Sequence, residues 1–433
     1  MCGISGIWRF DGANAEELSA TAHRMTSCIA HRGPDADGTW TDPASGVALG
    51  FRRLAILDLT EAGAQPMTSA SGRYVIVFNG EIYNSPRLRE RLEREGTAPK
   101  WRGHSDTEVL LACIEAWGIR PAVESFVGMF AFGVWDTRDH TLTLVRDRLG
   151  VKPLYFALTP HLLVFASELR SIRTSAVIGF AIDREAAGLY ARFRYVPAPR
   201  SIYEGVGKLT PGSILTIEQS GSERLERYWD SAEVAEHAAR NRFAGNEEDA
   251  ANDLEGLLTD AVMLRTIADV PLGVFLSGGV DSSLITALMQ KNSGRPVSTF
   301  SIGLHDSKLD EAPAAAETAR YLGTDHHEQY VGEDNVLRLV PTITDVFDEP
   351  FADASSIPTY LVSRIARNSV TVALAGDGGD ELFAGYHRHF LGHRQQRHVR
   401  AVPRVLRPAA SRLLASLARR ESTRRLAKAL VRN

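Results

Sequence analysis

Three cysteines in 433 residues, Cys2, Cys28 and Cys113, are too few and too scattered for a disulfide framework or a zinc cluster. No run of about 18 apolar residues exists, which excludes a membrane-spanning helix. The N-terminus, Met1-Cys2-Gly3-Ile4-Ser5-Gly6, lacks the basic region and apolar stretch of a secretory signal. An excess of one charge is missing too. Lys and Arg number 49 against 53 Asp and Glu, a net charge of −4, so nothing overall advertises a nucleic-acid or membrane partner. Internal repeats and low-complexity tracts are absent. What remains is 44% hydrophobic and 24% charged, a globular composition that excludes global disorder. At roughly 150 residues per domain, the length predicts two or three domains of a reduced, cytoplasmic chain.

Before about residue 200 the chain reads as short strands with turn punctuation. Leu49–Leu59, Tyr74–Phe78, Met129–Asp136 and Leu142–Arg146 are apolar or alternating runs bounded by Gly, Asp or Pro. Helical periodicity interrupts them at Glu16–Ala30 and Ser105–Ala116. Many strands and few helices predict a layered α+β unit rather than a βαβ succession. Pro- and Gly-rich text from Val196 to Trp229, then a polar stretch from Asp230 to Asn246, reads as a connector. After it the rhythm changes. Leu254, Leu257, Leu258, Ala261 and Val262 share a helical face, Val270–Leu276 is a buried-strand run, and a Gly-Gly turn leads into a helix at Ser282–Gln290. Val297–Ile302 is the next strand, Ala314–Leu322 the next helix, and Val370–Ala375 a further strand entering a glycine loop. This succession predicts a parallel α/β sheet covered on both faces. The expected units are residues 2–210, a connector at 211–245 and a second domain at 246–433. From Leu382 onward twelve arginines and Lys428 face a single acid, Glu421. A solvated basic face and a surface for phosphate or a partner both fit that composition.

Leu276-Ser277-Gly278-Gly279-Val280-Asp281-Ser282-Ser283 sits where the buried strand becomes a helix. Two glycines let the backbone turn tightly enough for N–H groups to face an anion, and the helix points its positive end at the same place. Ser277, Ser282 and Ser283 add hydroxyl donors, and Asp281 can hold a magnesium ion on bound phosphates. It is not a Walker A loop, because the Gly-Lys-Ser/Thr ending is missing. Ala375-Gly376-Asp377-Gly378-Gly379-Asp380-Glu381 follows another strand, so both loops are expected to face one pocket at the carboxyl edge of the sheet. Cys2 is the other strong signal. Once Met1 is trimmed, Cys2 carries a thiol and an α-amine whose ordinary pKa of about 7.7–8.0 suits a general base acting on its own thiol.

The first glycine loop resembles the pyrophosphate-binding loop of the N-type ATP pyrophosphatases. A broader resemblance rests on ordered blocks: Met1-Cys2-Gly3-Ile4-Ser5-Gly6, His31-Arg32-Gly33-Pro34-Asp35, Arg53-Leu54-Ala55-Ile56, Asn79-Gly80-Glu81-Ile82-Tyr83-Asn84 and Ser105-Asp106-Thr107-Glu108. Gly128-Met129-Phe130-Ala131-Phe132 and Arg146-Asp147-Arg148-Leu149-Gly150 continue the series. From Met1 to about Tyr386 the chain resembles the glutamine-hydrolysing asparagine synthetases. The resemblance implies an α+β N-terminal-nucleophile (Ntn) αββα glutaminase domain, of the class II glutamine amidotransferases. A Rossmann-like α/β synthetase domain with a parallel sheet is implied to follow. Cys2 is implied as nucleophile, with Asn79 and the Gly80 amide as oxyanion hole. Arg53 is implied as the clamp on the α-carboxylate of glutamine, Asp106 as the acid on its α-ammonium with Glu81 nearby, and Leu54 and Ile56 as backbone contacts. In the second half, Phe275, Ser277, Gly278, Gly279, Asp281, Ser282, Ile302, Ala375 and Gly376 match ATP-binding positions. Asp377 and Asp380 match the acceptor and adenylation side, and Asp281 and Asp380 the magnesium held through pyrophosphate. Phe275 and Ile302 fit plain strand core equally well.

The implied ligase reaction makes asparagine from aspartate at the expense of ATP, with ammonia from glutamine hydrolysis. A glutamyl thioester forms at one site, β-aspartyl-AMP at the other, and ammonia passes between them inside the protein. ATP and Mg2+ are the implied cofactors, with glutamine and aspartate the other partners; a homodimer is left open. Two departures bear on the acceptor. Ala375 stands where asparagine synthetases often carry serine, and the threonine and arginine that some members use on aspartate are not evident around Asp348-Glu349-Pro350-Phe351-Ala352-Asp353-Ala354-Ser355-Ser356. A related amidotransferase acting on another carboxylate, in a glycan or natural-product precursor, is therefore a rival reading. Family members continue past the end of this chain with further helices and a basic residue that aids adenylation, for which the tail shows no placed equivalent. A fragment, a truncated glutaminase without synthetase activity, and a tail arginine in that role are the alternatives. Cys28 and Cys113 fall on apolar helix faces and read as core.

Overall fold

In the strand Tyr74–Ile82, Tyr74, Ile76 and Phe78 pack to one side and Val75 and Val77 to the other, all of them buried. A strand of this kind needs a layer on each face. The structure, a computed structural model that describes residues 1–305, 310–386, 389–392, 399–403 and 406–417, supplies both. Tyr74–Ile82 belongs to an antiparallel sheet ordered Glu223–Arg227, Ser213–Glu218, Thr141–Arg146, Gly128–Asp136, Tyr74–Ile82 and Met67–Thr68. Its inner face packs on a second antiparallel sheet ordered Gly207–Lys208, Tyr155–Leu158, Leu162–Ala166, Gly3–Arg9, Val47–Arg53 and Ala36–Asp42. Trp8 and Trp135, both fully buried, meet edge to face across this interface with ring centres 4.9 Å apart. Helices Ser85–Glu95 and Asp106–Trp117 cover one outer face, and Ala15–Ser27, Leu169–Ser175 and Arg184–Phe193 the other. The layering is the expected αββα.

Two stretches differ from the sequence reading. Leu49–Leu59 reads as one strand, yet the strand ends at Arg53, and Asp58 takes the left-handed φ of +52° that keeps the segment looped. Within the stretch read as connector, Ser213–Glu218 and Glu223–Arg227 are strands of the first sheet described. Ile214, Leu215 and Ile217 are buried there, a short run hidden among prolines and glycines. An exposed helix, Ser231–Arg240, comes next.

The second half is built on a parallel sheet ordered Asp325–Val331, Ser298–Leu304, Leu272–Phe275 and Val372–Leu374. Helices Glu247–Leu264 and Val280–Lys291 pack on one face, through Val262, Leu288 and Met289 against Val274 and Leu374. Helix Ser356–Ala366 packs on the other face against Phe300. Asp325–Val331, with its polar sequence, had no apolar signature to announce it as a strand. From Leu272–Phe275 the chain crosses first to one neighbour and later to the other. The carboxyl end of that strand is therefore the switch point at which open α/β sheets bind ligands. The tail helix Arg407–Leu417 is described, but Glu421, Lys428 and most of the tail arginines lie outside the described residues.

Candidate active sites

One end of the two-sheet sandwich opens into a cavity of about 300 Å3. Cys2 stands just before strand Gly3–Arg9, and Arg53 ends Val47–Arg53. Asn79, Gly80 and Glu81 lie late in Tyr74–Ile82, and Asp106 opens the helix Asp106–Trp117, which Ser105 caps by accepting from the Glu108 N–H. These six, with Leu54 and Ile56, all line the one cavity. Every residue expected on the glutamine side is thus brought together.

The Cys2 sulfur lies 3.4 Å from the Leu54 nitrogen and 3.5 Å from its carbonyl oxygen. Burial pushes the thiol above its ordinary pKa, against the pull of the Leu54 backbone and the terminal ammonium. Such a thiol needs a base. In the encoded chain the Cys2 nitrogen belongs to a peptide bond, so its α-amine exists only after Met1 leaves. Met1 is 56% exposed as a residue, but its amine is set against the pocket, and burial lowers that amine from 8.0 to about 5.

Asn79 is 1% exposed, and both polar atoms of its amide are buried without a partner among the described residues. Orphan polar groups at such depth cost free energy that a ligand can return. A side chain on Gly80 would run into the Met129 carbonyl and Phe130 on the adjacent strand, so only glycine lets the two strands close here. Asp106 accepts from the Ile82 N–H at 2.9 Å, and burial still raises its pKa to about 6. Burial, with Asp106 beside it, raises Glu81 to about 8. Of the two, Asp106 is the carboxyl ionised at neutral pH and so the one able to face a cation. Arg53 donates to the carbonyls of Thr60, at 2.8 Å, and Asp58, which leaves the rest of its five N–H donors for a carboxylate.

The sequence reading passed over several groups at this pocket. Lys152 lines it at 4% exposure, and burial together with Arg32 lowers its ammonium to about 8. It stands two residues past the block that ends at Gly150, close enough to have been flagged. Gln65 accepts from the Phe78 N–H at 2.6 Å and donates to Thr107 at 3.2 Å, stiffening the wall. Arg32, quoted earlier without a role, donates to the Cys2 carbonyl at 2.9 Å and to Glu168 at 2.9 Å. Glu168 meets Arg170 at 3.0 Å, and Arg170 meets Asp348 of the second domain at 2.6 Å. Thr371, Val372 and Ala373, also of the second domain, complete the cavity.

At the other site Gly278 has φ +75°, and a Cβ there would lie 2.8 Å from that of Ala314. The Ser282 hydroxyl accepts from the Ser277 N–H at 3.2 Å and lies 3.0 Å from the Ser277 hydroxyl, which closes the turn. Gly279 caps helix Val280–Lys291 without a side chain, so the first-turn N–H groups face outward. The second glycine loop presses onto the first. A Cβ on Gly376 would come within 2.9 Å of the Ser282 nitrogen, and one on Gly379 would strike the Asp281 carboxylate. Asp281 therefore stands at the seam of the loops, Asp380 turns back toward Gly385, and Asp377 and the Ala375 end flank them. Phe275 packs with Phe300 in a small core cluster, while Ile302 is half-buried on its strand. Among the described residues no three His, Cys, Asp or Glu gather to hold a metal.

Known proteins match both halves. A glutamine amidotransferase domain family model matches residues 1–229, and an asparagine synthase model matches residues 253–432. The asparagine synthetase [glutamine-hydrolyzing] 1 of Bacillus subtilis is 38% identical over 393 residues, 89% of this chain and 59% of its own length. A Methanocaldococcus jannaschii protein, provisionally given the corresponding name with the number 2, is 36% identical over 433 residues, 95% of this chain and 81% of its own. The chain belongs to the glutamine-hydrolysing asparagine synthetase family. It spans 59% of the length of the Bacillus subtilis relative. Among solved structures, the glutamine phosphoribosylpyrophosphate amidotransferase of Bacillus subtilis covers 76% of this chain and 65% of its own, at 17% identity and a TM-score of 0.38. That likeness is too slight to build on.

Proposed function

We propose that the chain frees ammonia from glutamine at Cys2 and delivers it to aspartate activated by ATP at the paired glycine loops, making asparagine. The observation that carries this reading is a shared wall. Val372 and Ala373 line the Cys2 cavity, and the strand Val372–Leu374 runs directly into the loop that begins at Ala375. The two proposed sites thus lie at opposite ends of one short strand.

At the first site the α-amine of trimmed Cys2 takes the thiol proton, and the sulfur attacks the γ-carbonyl of glutamine. Asn79 and Gly80 donate to the oxyanion, and the amine returns its proton to the departing ammonia. Water then clears the glutamyl thioester as glutamate. Asp106 holds the α-ammonium with Glu81 nearby, Arg53 the α-carboxylate, and the backbone at Leu54 and Ile56 the rest of the substrate. At the second site the open helix N-terminus and the glycine cradle fit the phosphates of ATP. Ser277, Gly278, Gly279 and Ser282 would hold the pyrophosphate portion, Asp281 and Asp380 a magnesium ion on it, and Ala375, Gly376 and Asp377 the AMP and acceptor. Phe275 and Ile302 would flank the adenine. Magnesium, when bound, supplies positive charge where pyrophosphate departs.

The test is to supply glutamine labelled with nitrogen-15 at its amide together with ATP, magnesium and aspartate. Amide-labelled asparagine, with glutamate and AMP in equal amounts, is the expected product. Glutamate without asparagine, alongside AMP formation driven by another carboxylate, would move the acceptor.

A further inference from the structure

Arg53 reaches its position through a loop rather than through its own strand. Both of its loop contacts are backbone carbonyls, of Asp58 and Thr60. Asp58 is 1% exposed and holds φ +52°, a region that few residues with side chains enter and that aspartate tolerates better than most. Its carboxylate braces the turn from within, accepting from the Thr60 N–H at 3.2 Å, the Thr60 hydroxyl at 2.5 Å and the His104 N–H at 2.8 Å.

The second domain grips this loop with one residue. An Asp269 carboxylate oxygen accepts from the Asp58 N–H at 2.8 Å and lies 2.7 Å from Nε2 of His104. The Asp269 N–H in turn donates to the Ile56 carbonyl at 2.9 Å. A carboxylate–histidine pair as exposed as this one contributes little by itself. The bond from Asp58 is different, because its donor belongs to a buried residue and its acceptor is ionised, which makes it the stronger kind. Beyond Val270 and Pro271 the same chain enters strand Leu272–Phe275, whose far end is the first glycine loop.

We infer that Asp269, with His104, is an inter-domain latch that positions the loop of residues 54–60 and through it Arg53, so that the second domain sets how tightly the first holds glutamine. The inference rests on the glutamine reading of the Cys2 pocket. Asp269 and His104 are positioning residues, since neither lines the cavity.

Steady-state glutamate release by the whole chain tests it. Asp269→Ala is expected to raise the KM for glutamine about tenfold with kcat within about twofold, the signature of lost binding rather than lost chemistry. Asp269→Asn keeps an acceptor for the Asp58 N–H and should recover about half of that loss on a logarithmic scale. His104→Ala should add little to Asp269→Ala, because both act through one oxygen. A KM unchanged in Asp269→Ala, or a fall in kcat alone, overturns the latch. If Asp269→Ala does not fold, Asp269→Asn carries the test: it should raise KM about threefold, and an unmoved KM there also overturns the latch. Wild-type chain that releases no glutamate would instead overturn the pocket reading, and the latch with it.

Discussion

Around Cys2 the polar groups are buried, whereas around Asp281 the loops are open and their neighbours are exposed. Arg53, Asn79, Glu81, Asp106 and Lys152 are all at most 8% exposed, while Val280 of the first glycine loop is 83% exposed. Under the proposed function the contrast follows from what each site would recognise. Glutamine is a small zwitterion, so the protein must supply an anion, a cation and an oxyanion donor in fixed places, and only a closed four-layer body holds them. A nucleotide brings its own charges and recruits its own metal, so a cradle of backbone N–H groups on a parallel sheet is enough.

The largest break in this contrast is Cys2→Ala. It should abolish glutamate release while sparing amide formation from added ammonia, and equal loss of both activities would end the two-site account. Next comes Asn79→Ala, which removes an oxyanion donor and should lower kcat for glutamate release about 10²- to 10³-fold, with a smaller change in KM. Asp281→Asn is the reciprocal experiment. ATP–pyrophosphate exchange should fall about 10²-fold with glutaminase turnover untouched, and unchanged exchange would remove this loop from the nucleotide site.

The smallest effect is graded with pH. Burial raises Asp106 from 3.8 to about 6, so below that pH the carboxyl is neutral and cannot hold an ammonium group. The kcat/KM for glutamine should therefore fall about tenfold per unit below about pH 6. Stability runs the other way. Between 3.8 and about 6 the folded protein keeps a proton that the unfolded chain releases, so the contribution of Asp106 to stability drops as pH rises through that window. Activity and thermal stability recorded together across pH 4–7 should diverge, and Asp106→Asn should flatten both trends.

The same contrast governs what the sequence made legible. Cys2 and the two glycine loops could be read directly, because their chemistry lies in local text: a thiol at the second position, and glycines where a strand becomes a helix. The zwitterion pocket could be read only through resemblance, since Arg53, Asn79 and Asp106 come from three separate elements and nothing local draws them together. Lys152 was missed although it stands two residues past a quoted block, and the Arg32–Glu168–Arg170–Asp348 ladder was missed because its members come from three distant segments of the chain. The strand Asp325–Val331 escaped notice because an edge position in the sheet does not demand an apolar run. Ser213–Glu218 was lost among prolines and glycines although its isoleucines are buried.

The central claim is that one chain holds two separable chemistries, with ammonia passing from the first to the second. Its most direct test is to treat the chain with a glutamine analogue carrying an electrophile at the γ-carbon, map the adduct, and then assay amide formation from glutamine and from ammonia side by side. A single adduct on Cys2, none on Cys28 or Cys113, complete loss with glutamine and retained activity with ammonia is the predicted result. An adduct on another cysteine, or loss of the ammonia-dependent reaction along with the first, would contradict it.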